Sequence, residues 1–240
     1  MIHRLGANSI PGDERSDNRE RWSNGVIVEP VPMFALRLRA FLSTRLSVPL
    51  ILASASSIRQ QVLQAAGVEF EVVLSAVDEQ DVKARLTDAS EIAAELAAAK
   101  AVAVSEARPN DWVIGSDSVV SVAGRIFDKP RDRDEAAEHL RFFSGKAMIL
   151  TSAVALAKGN ALDWRHVDTA TLQVRILSEE FIAAYLDAEW PEVGYTVGGF
   201  RLEGRGVQLF SAIDGDHFTI LGMPLLPLLG ALRDRGLLAA

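Results

Sequence analysis

Hydroxyl and guanidinium side chains lie where the chain is predicted to change from a strand to a helix. The short apolar run at residues 50–53 predicts a strand, and apolar residues recur at helical spacing over residues 58–66. Ser54, Ser56 and Arg59 fall at this junction. The first amides of a helix lack intrahelical partners and favour an anion, and the serines and the arginine add donors. The junction is therefore a candidate phosphate site, although a helix-capping Ser56 and a solvated Arg59 fit the same local pattern.

Carboxylates follow two further predicted strands, at residues 69–74 and 112–114. Glu79 comes shortly after the first strand, and Asp117 lies in a predicted Gly-Ser-Asp-Ser loop after the second, at residues 115–118. The ends of neighbouring strands in an α/β sheet commonly meet at one crevice. Carboxylate oxygens there are suitable ligands for Mg²⁺ or Mn²⁺. The sequence thus predicts a divalent-metal site, while each acid alone also fits a turn or a helix cap.

A lysine that faces a polyphosphate is a further candidate. Lys129 stands in an Asp-Lys-Pro segment, where the proline fixes the backbone next to the ammonium. The same tripeptide is also common in ordinary loops. Because the chain carries a net charge of -7, any anionic ligand must be met by such a local group of cations.

Composition and missing motifs exclude several other classes of function. The net charge gives no electrostatic footprint for nucleic acid or an anionic membrane, and the absence of cysteine excludes thiolate chemistry and disulfides. There is no G-x-x-x-x-G-K-[ST] or G-x-S-x-G motif. The histidines lack the spacing of metal ligands or of a triad and are expected to be structural or exposed: His3, His139, His166 and His217.

The elements that must position these residues alternate between helices and strands. Helices are predicted at residues 89–106 and 135–143, and two strands are joined by a Gly159-Asn160 hairpin turn. This mixture predicts an α/β fold in one domain at residues 49–240. Residues 1–48 are predicted to be a poorly ordered extension with a short amphipathic helix. No run reaches the roughly 18 apolar residues of a membrane span, and no secretion-signal pattern opens the chain, so the cytoplasm is the expected location.

The order of these segments resembles that of the Maf family of nucleotide pyrophosphatases, from about Leu50 to the C-terminus. The matching segments, in chain order, are LILASASSIRQQVLQAAG, VDE with Glu79, AAAKA with Lys100, VIGSDSVV with Asp117, FDKP with Lys129, FSGKAMILTSAVAL, LSEEFIAAYL, GGFRLEGRG and IDGDHFTILGMPL. Each match is short, but their shared order makes the resemblance specific.

The resemblance implies a two-lobed, Maf/ITPase-like α/β fold with a mixed sheet and a nucleotide cleft between the lobes. It implies hydrolysis of a nucleoside triphosphate at the α–β phosphate bond, with Mg²⁺ or Mn²⁺ as cofactor. A homodimer is an expectation from the family. Asp117 would act as the base or as a metal ligand that orients water, and Glu79 would join it at the metal. The implied substrate-binding residues are Ser54, Ser56, Arg59, Lys100, Lys129, Arg201 and Glu203.

Departures from the family pattern bear on the base that is recognised. The branch similar to dTTP and UTP pyrophosphatases has paired arginines after a proline, whereas this chain has Ser57-Ile58-Arg59. The loop with Arg201 and Glu203 looks closer to the 7-methyl-GTP branch, although that branch has a lysine in place of Arg201 and a bulky aromatic residue in place of Ile58. A carboxylate suits the guanine edge, because both N1 and N2 donate hydrogen bonds.

Two other functions remain open on the sequence. One is a nucleotide-binding regulator of cell division or septum formation that does not turn over its ligand, which is the role first associated with the family. The other is a phosphatase or nucleotidyl-type enzyme that cleaves a different bond. The presence of Glu79, Asp117 and Lys129 favours catalysis over binding alone.

Overall fold

The structure is a computed structural model, and it describes residues 50–239. The predictions for an extension at residues 1–48, and for a helix within it, lie outside the described residues.

Seven strands form one mixed sheet in the described part of the chain. They are β1 (Leu50–Leu52), β2 (Glu71–Val72), β3 (Trp112–Val122), β4 (Arg125–Phe127), β5 (Ala147–Lys158), β6 (Ala161–Val174) and β7 (Phe210–Asp214). The sheet order is β2-β1-β3-β5-β6-β7, and β4 pairs with β3 beside this path. Strand β1 is parallel to both β2 and β3, whereas the other pairs are antiparallel. The predicted α/β class with a mixed sheet is confirmed.

Seven α-helices accompany the sheet in residues 50–239. They are α1 (Ser57–Ala65), α2 (Glu79–Arg85), α3 (Ala89–Ala107), α4 (Arg133–Phe143), α5 (Glu179–Glu189), α6 (His217–Ile220) and α7 (Leu225–Asp234). Most begin at a serine or aspartate whose side chain accepts a hydrogen bond from a first-turn amide, which fixes where each helix starts. These caps are Ser56, Asp78, Asp88, Asp132, Ser178 and Asp216.

Buried side chains divide the molecule into two lobes that share the long strands β3 and β5. In the first lobe, α3 packs on one face of the sheet and α1 and α7 pack on the other. In the second lobe, α4 and α5 pack around the far halves of β3, β5 and β6. Gly115 allows α3 to lie directly on β3, because a Cβ there would be 2.1 Å from the carbonyl oxygen of Ala97.

The predicted loop at residues 115–118 is wrong, since β3 continues without interruption to Val122. Ser116 and Asp117 are buried at its centre, where they pair with Val154 and Ala153 of β5. Polar residues normally mark a loop, but here tertiary partners satisfy them. The single hydroxyl proton of Ser116 lies within reach of two acceptors, the carbonyl oxygens of Ala153, at 2.8 Å, and Gly222, at 3.0 Å.

Other elements differ from the predictions mainly at their ends. The Gly159-Asn160 turn is confirmed, with positive φ angles of 59° and 63° that suit the turn between β5 and β6. The predicted strand at residues 69–74 is reduced to the two residues of β2. Strand β7 begins only at Phe210, because a 3₁₀-helix occupies Arg205–Leu209. None of the described helices has the length and apolar character to cross a bilayer.

Candidate active site

One cleft between the lobes gathers every residue that the sequence predicted for the site. It has a volume of about 1140 Å³. Its lining includes Ser54, Ser56, Arg59, Glu79, Lys100, Asp117, Lys129, Arg201 and Glu203. The residues come from the loop after β1, α1, α2, α3, β3, the loop after β4 and the loops after α5. Their roles in binding or chemistry stay predictions.

Lys100 joins the two carboxylates at the centre of the cleft. Its Nζ lies 2.6 Å from Oε1 of Glu79 and 2.6 Å from Oδ1 of Asp117, and it donates a hydrogen bond to each. Lys100 is on α3, Glu79 is in the first turn of α2, and Asp117 is in the middle of β3. The Lys100 and Asp117 side chains are only 12% and 10% exposed. This desolvated ion triad brings together three chain segments that the sequence separates.

The surrounding cations keep Glu79 ionised. Its partial burial acts to raise its pKa, but the hydrogen bond and the charge of Lys100 act in the opposite direction. The charges of Lys83 and Lys129 add to that effect, so that the pKa of Glu79 falls below its ordinary value of 4.5. Glu79 therefore presents a carboxylate to the cleft at neutral pH.

The donor set fits a hard cation only in part. Within residues 50–239, no group of three or more His, Cys, Asp or Glu side chains is arranged to hold a metal ion. Glu79 and Asp117 supply two carboxylates, each with one oxygen bonded to the same ammonium of Lys100. Mg²⁺ is usually bound by one or two carboxylates together with substrate phosphates and water. The pair fits that mode of binding rather than a site made of protein ligands alone.

Most N–H groups of the Arg59 guanidinium donate hydrogen bonds within the protein. Its Nε donates to the carbonyl oxygen of Gly222 at 2.9 Å, and its Nη1 donates to the carbonyl oxygen of Ser116 and the hydroxyl of Ser54. Its Nη2 donates to the hydroxyl of Ser118 at 2.9 Å. Burial lowers the pKa of Arg59, although the charges of Asp117 and Glu79 oppose that shift. A guanidinium so engaged fixes the cleft wall and has one N–H left for a ligand.

The two serines of the first loop have structural partners as well. The Ser56 hydroxyl caps α1 by accepting a hydrogen bond from the Arg59 amide at 3.5 Å, as the capping alternative predicted. The Ser54 hydroxyl accepts from the Ser56 amide and from Arg59. Both side chains still line the cleft beside the start of α1. The amides and hydroxyls of this turn remain suitably placed for an anion.

Comparison with known proteins identifies the family. The family model described as Maf-like protein matches residues 49–235. The chain belongs to the Maf family. A protein of Rhizobium meliloti (strain 1021) named 7-methyl-GTP pyrophosphatase is 45% identical to it over 199 residues, which cover 80% of this chain and 98% of the relative. A Nitrobacter hamburgensis protein named nucleoside triphosphate pyrophosphatase is 47% identical over 193 residues, covering 80% of this chain and 96% of the relative.

The loop that carries Arg201 and Glu203 forms another part of the cleft wall in this Maf protein. The Nε of Arg201 donates to Oε1 of Glu203 at 3.3 Å. Gly206 permits the loop to fold back on itself, since a Cβ there would lie 2.5 Å from the carbonyl oxygen of Arg201. Tyr195 also lines the cleft, and its side chain is largely exposed. This part of the Maf cleft offers hydrogen-bonding and aromatic groups rather than a cluster of lysines.

The sequence analysis missed Lys83, which lines the Maf cleft beside Glu79. Its Nζ donates a hydrogen bond to Oδ1 of Asp128 and lies 3.9 Å from Oε2 of Glu79. The signal was the spacing of four residues between Glu79 and Lys83, which places both on one face of a helix. That signal was lost because the helix α2 itself was not predicted.

His139 was expected to be structural or exposed, and it lies in the wall of the Maf cleft. Its ring packs edge-on against Phe127, with 5.0 Å between the ring centroids. Burial lowers the pKa of His139, although the charge of Glu135 opposes the shift. A neutral imidazole packed on an aromatic ring is consistent with a structural part of the wall.

Proposed function

We propose that this Maf protein hydrolyses nucleoside triphosphates at the α–β phosphate bond, giving a nucleoside monophosphate and pyrophosphate. The observation that carries the proposal is the ion triad of Glu79, Lys100 and Asp117 inside a cleft that Lys129 also lines. Relatives at 45% and 47% identity bear the names of triphosphate pyrophosphatases, which supports the same reaction here. The paired acids make a non-catalytic binding protein the weaker alternative.

The residues of the cleft supply what the reaction requires. Phosphoryl chemistry depends chiefly on positioning and on the stabilisation of spread negative charge. Lys100 and Lys129 would neutralise the triphosphate, and the turn with Ser54 and Ser56 would donate hydrogen bonds to it. Asp117 would hold the attacking water and accept its proton, because it is a carboxylate that lines the cleft and its Oδ1 is held by Lys100.

A divalent cation would be held by Glu79 and Asp117. When bound, Mg²⁺ or Mn²⁺ neutralises phosphate charge and acts as a Lewis acid. The ionised state of Glu79, which the neighbouring lysines maintain, favours that binding. Lys100 would then share the two carboxylates with the cation rather than hold them alone.

We propose a methylated guanine, as in 7-methyl-GTP, as the preferred base. Glu203 lies in the cleft wall, where its carboxylate would accept hydrogen bonds from N1 and N2 of guanine. Its ion pair with Arg201 would orient the carboxylate. A relative from Rhizobium etli with the name 7-methyl-GTP pyrophosphatase, 46% identical over 78% of this chain and 96% of its own length, supports that choice.

The cytoplasm and a homodimer remain predictions for this protein. Fractionation of the cells that express it and light scattering of the purified chain would test the two predictions separately.

The test of the function is a panel of canonical and modified triphosphates, incubated with purified protein and Mg²⁺ or Mn²⁺. Monophosphate with pyrophosphate is the expected product pair, fastest from 7-methyl-GTP. Diphosphate with orthophosphate would replace the proposal with a phosphatase that cleaves the terminal bond. Tight binding without turnover would favour the regulator.

A further inference from the structure

Lys83 connects helix α2 to the segment after β4 inside the proposed triphosphate site. Its helix α2 belongs to the first lobe, where Val82 is buried among residues packed against α3. Asp128 immediately follows Phe127, which is buried in the core of the second lobe. Ile126 of the same strand packs against the core of the first lobe, so β4 contacts both lobes. The hydrogen bond from Lys83 Nζ to Asp128 Oδ1 therefore joins α2 to the segment that follows β4.

The same ammonium also faces Glu79. Oε1 of Glu79 accepts a hydrogen bond from Lys100, whereas Oε2 lies 3.9 Å from Nζ of Lys83. The carboxylate is thus held between two lysines, one on each side. Because the Lys83 side chain is only 20% exposed, water screens its charge less than it would on an open surface.

Asp128, the hydrogen-bond partner of Lys83, precedes another predicted phosphate-binding residue. Asp128 and Lys129 are consecutive, so a fixed Asp128 restricts where the backbone of Lys129 can lie. Both residues line the cleft. A single side chain on α2 therefore contacts one predicted metal ligand and restrains the segment of one predicted phosphate-binding lysine.

We propose that Lys83 is a positioning residue which, through its bond to Asp128, sets the separation of Glu79 and Lys129 for the triphosphate. This inference rests on the proposed function. The hydrogen bond between Lys83 and Asp128 needs both side chains, so removing either side chain should have the same effect as removing both.

The experiment is a double-mutant cycle with 7-methyl-GTP as substrate. Lys83→Met and Asp128→Asn are each expected to lower kcat/KM roughly tenfold, mainly through kcat, and the double variant should be no slower than either single variant. Lys83→Arg should restore most of the rate, since its guanidinium can also bond to Asp128. The matched control is Arg85→Met, which removes a cation of the same helix whose ion pair with Asp81 lies outside the cleft.

Two results would overturn the inference. One is wild-type kinetics in Lys83→Met, and the other is an impaired Lys83→Met with an Asp128→Asn variant that works normally. Thermal unfolding of all variants separates a loss of folded protein from a loss of positioning. If the wild-type protein binds 7-methyl-GTP without hydrolysing it, the proposed function fails, but the inference about Lys83 can still be tested. The same variants are then compared by their affinity for 7-methyl-GTP, and the double variant should lose no more affinity than either single variant. Additive losses of affinity in the double variant would contradict the proposed role of the Lys83–Asp128 hydrogen bond.

Discussion

The ammonium of Lys100 lies 2.6 Å from a carboxylate oxygen of Asp117, which is buried in the middle of a continuous strand. Such a group would be costly at the centre of a sheet without a charged partner. Asp117 lines the cleft, and the carboxylate of Glu79 accepts a hydrogen bond from the same Lys100 ammonium. This arrangement indicates that the burial of Asp117 serves a function.

Replacing Asp117 with asparagine should nearly abolish turnover without unfolding the protein. The amide oxygen can still accept a hydrogen bond from Lys100, but it cannot take a proton from water or offer a charge to a metal. We expect kcat to fall by about 100-fold or more, measured by pyrophosphate release. Circular dichroism should match that of the wild type. Ser121→Ala, on the same strand but outside the cleft, should keep full activity, and a wild-type rate in Asp117→Asn would remove Asp117 from the mechanism.

Arg59→Lys should destabilise the fold as well as reduce activity. A lysine ammonium cannot reproduce the bonds that the guanidinium makes to Ser116, Ser118 and Gly222 together. The unpaired carbonyl and hydroxyl groups should cost about 2 to 3 kcal/mol in free energy of unfolding. Urea denaturation measures this cost.

The control for that change is Arg85→Lys, at an exposed ion pair on α2. It should cost under about 1 kcal/mol. Equal stability of Arg59→Lys and the wild type would show that the observed bonds do not anchor the cleft wall.

The lowered pKa of Glu79 predicts a specific dependence of stability on pH. A carboxyl group whose pKa is depressed by folding stabilises the native state above its unfolded pKa, and this contribution is lost as pH falls through the folded pKa. The wild type should therefore exceed Glu79→Gln in free energy of unfolding at neutral pH, and the difference should shrink once the pH drops below 4.5. Urea titrations across this range provide the measurement.

Glu106, exposed near the end of α3, supplies the control. Glu106→Gln should keep the pH dependence of the wild type. A difference between wild type and Glu79→Gln that does not change with pH would contradict the assigned effect of the lysines on Glu79.

Glu203→Gln should weaken the selection of guanine. A glutamine side chain presents one acceptor and two donors where a carboxylate presents only acceptors, so it pairs poorly with N1 and N2. We expect the ratio of kcat/KM for 7-methyl-GTP to that for UTP to fall roughly tenfold. Glu138→Gln, on α4 outside the cleft, should leave the ratio unchanged. An unchanged ratio in Glu203→Gln would move base recognition elsewhere in the cleft.

Local patterns in the sequence were sufficient for the elements that depend on local chemistry. Helix α3 was predicted within one residue at its end, because its alanine-rich composition and helical spacing are properties of the segment itself. The β5–β6 hairpin was likewise predicted from Gly159 and Asn160, which both adopt positive φ.

Features that depend on distant partners could not be predicted in the same way. The polar residues at the centre of β3 predict a loop from the sequence alone. They fit a strand because Lys100 and the carbonyl of Gly222, which are distant in the chain, form hydrogen bonds with them. Similarly, Arg59 was expected to serve a phosphate, and its bond to Gly222 joins residues far apart in the chain. The pairing of Lys83 with Asp128 has the same origin, because only the closed fold brings α2 to the loop after β4.

The most direct test of the central claim is ³¹P NMR of the products that wild-type protein forms from 7-methyl-GTP and Mg²⁺, with Asp117→Asn beside it. The wild-type sample should show the resonances of pyrophosphate and of the monophosphate, and the variant should leave the substrate intact. A wild-type reaction that yields orthophosphate and a nucleoside diphosphate, or equal rates in the two samples, would contradict a pyrophosphatase built around Asp117.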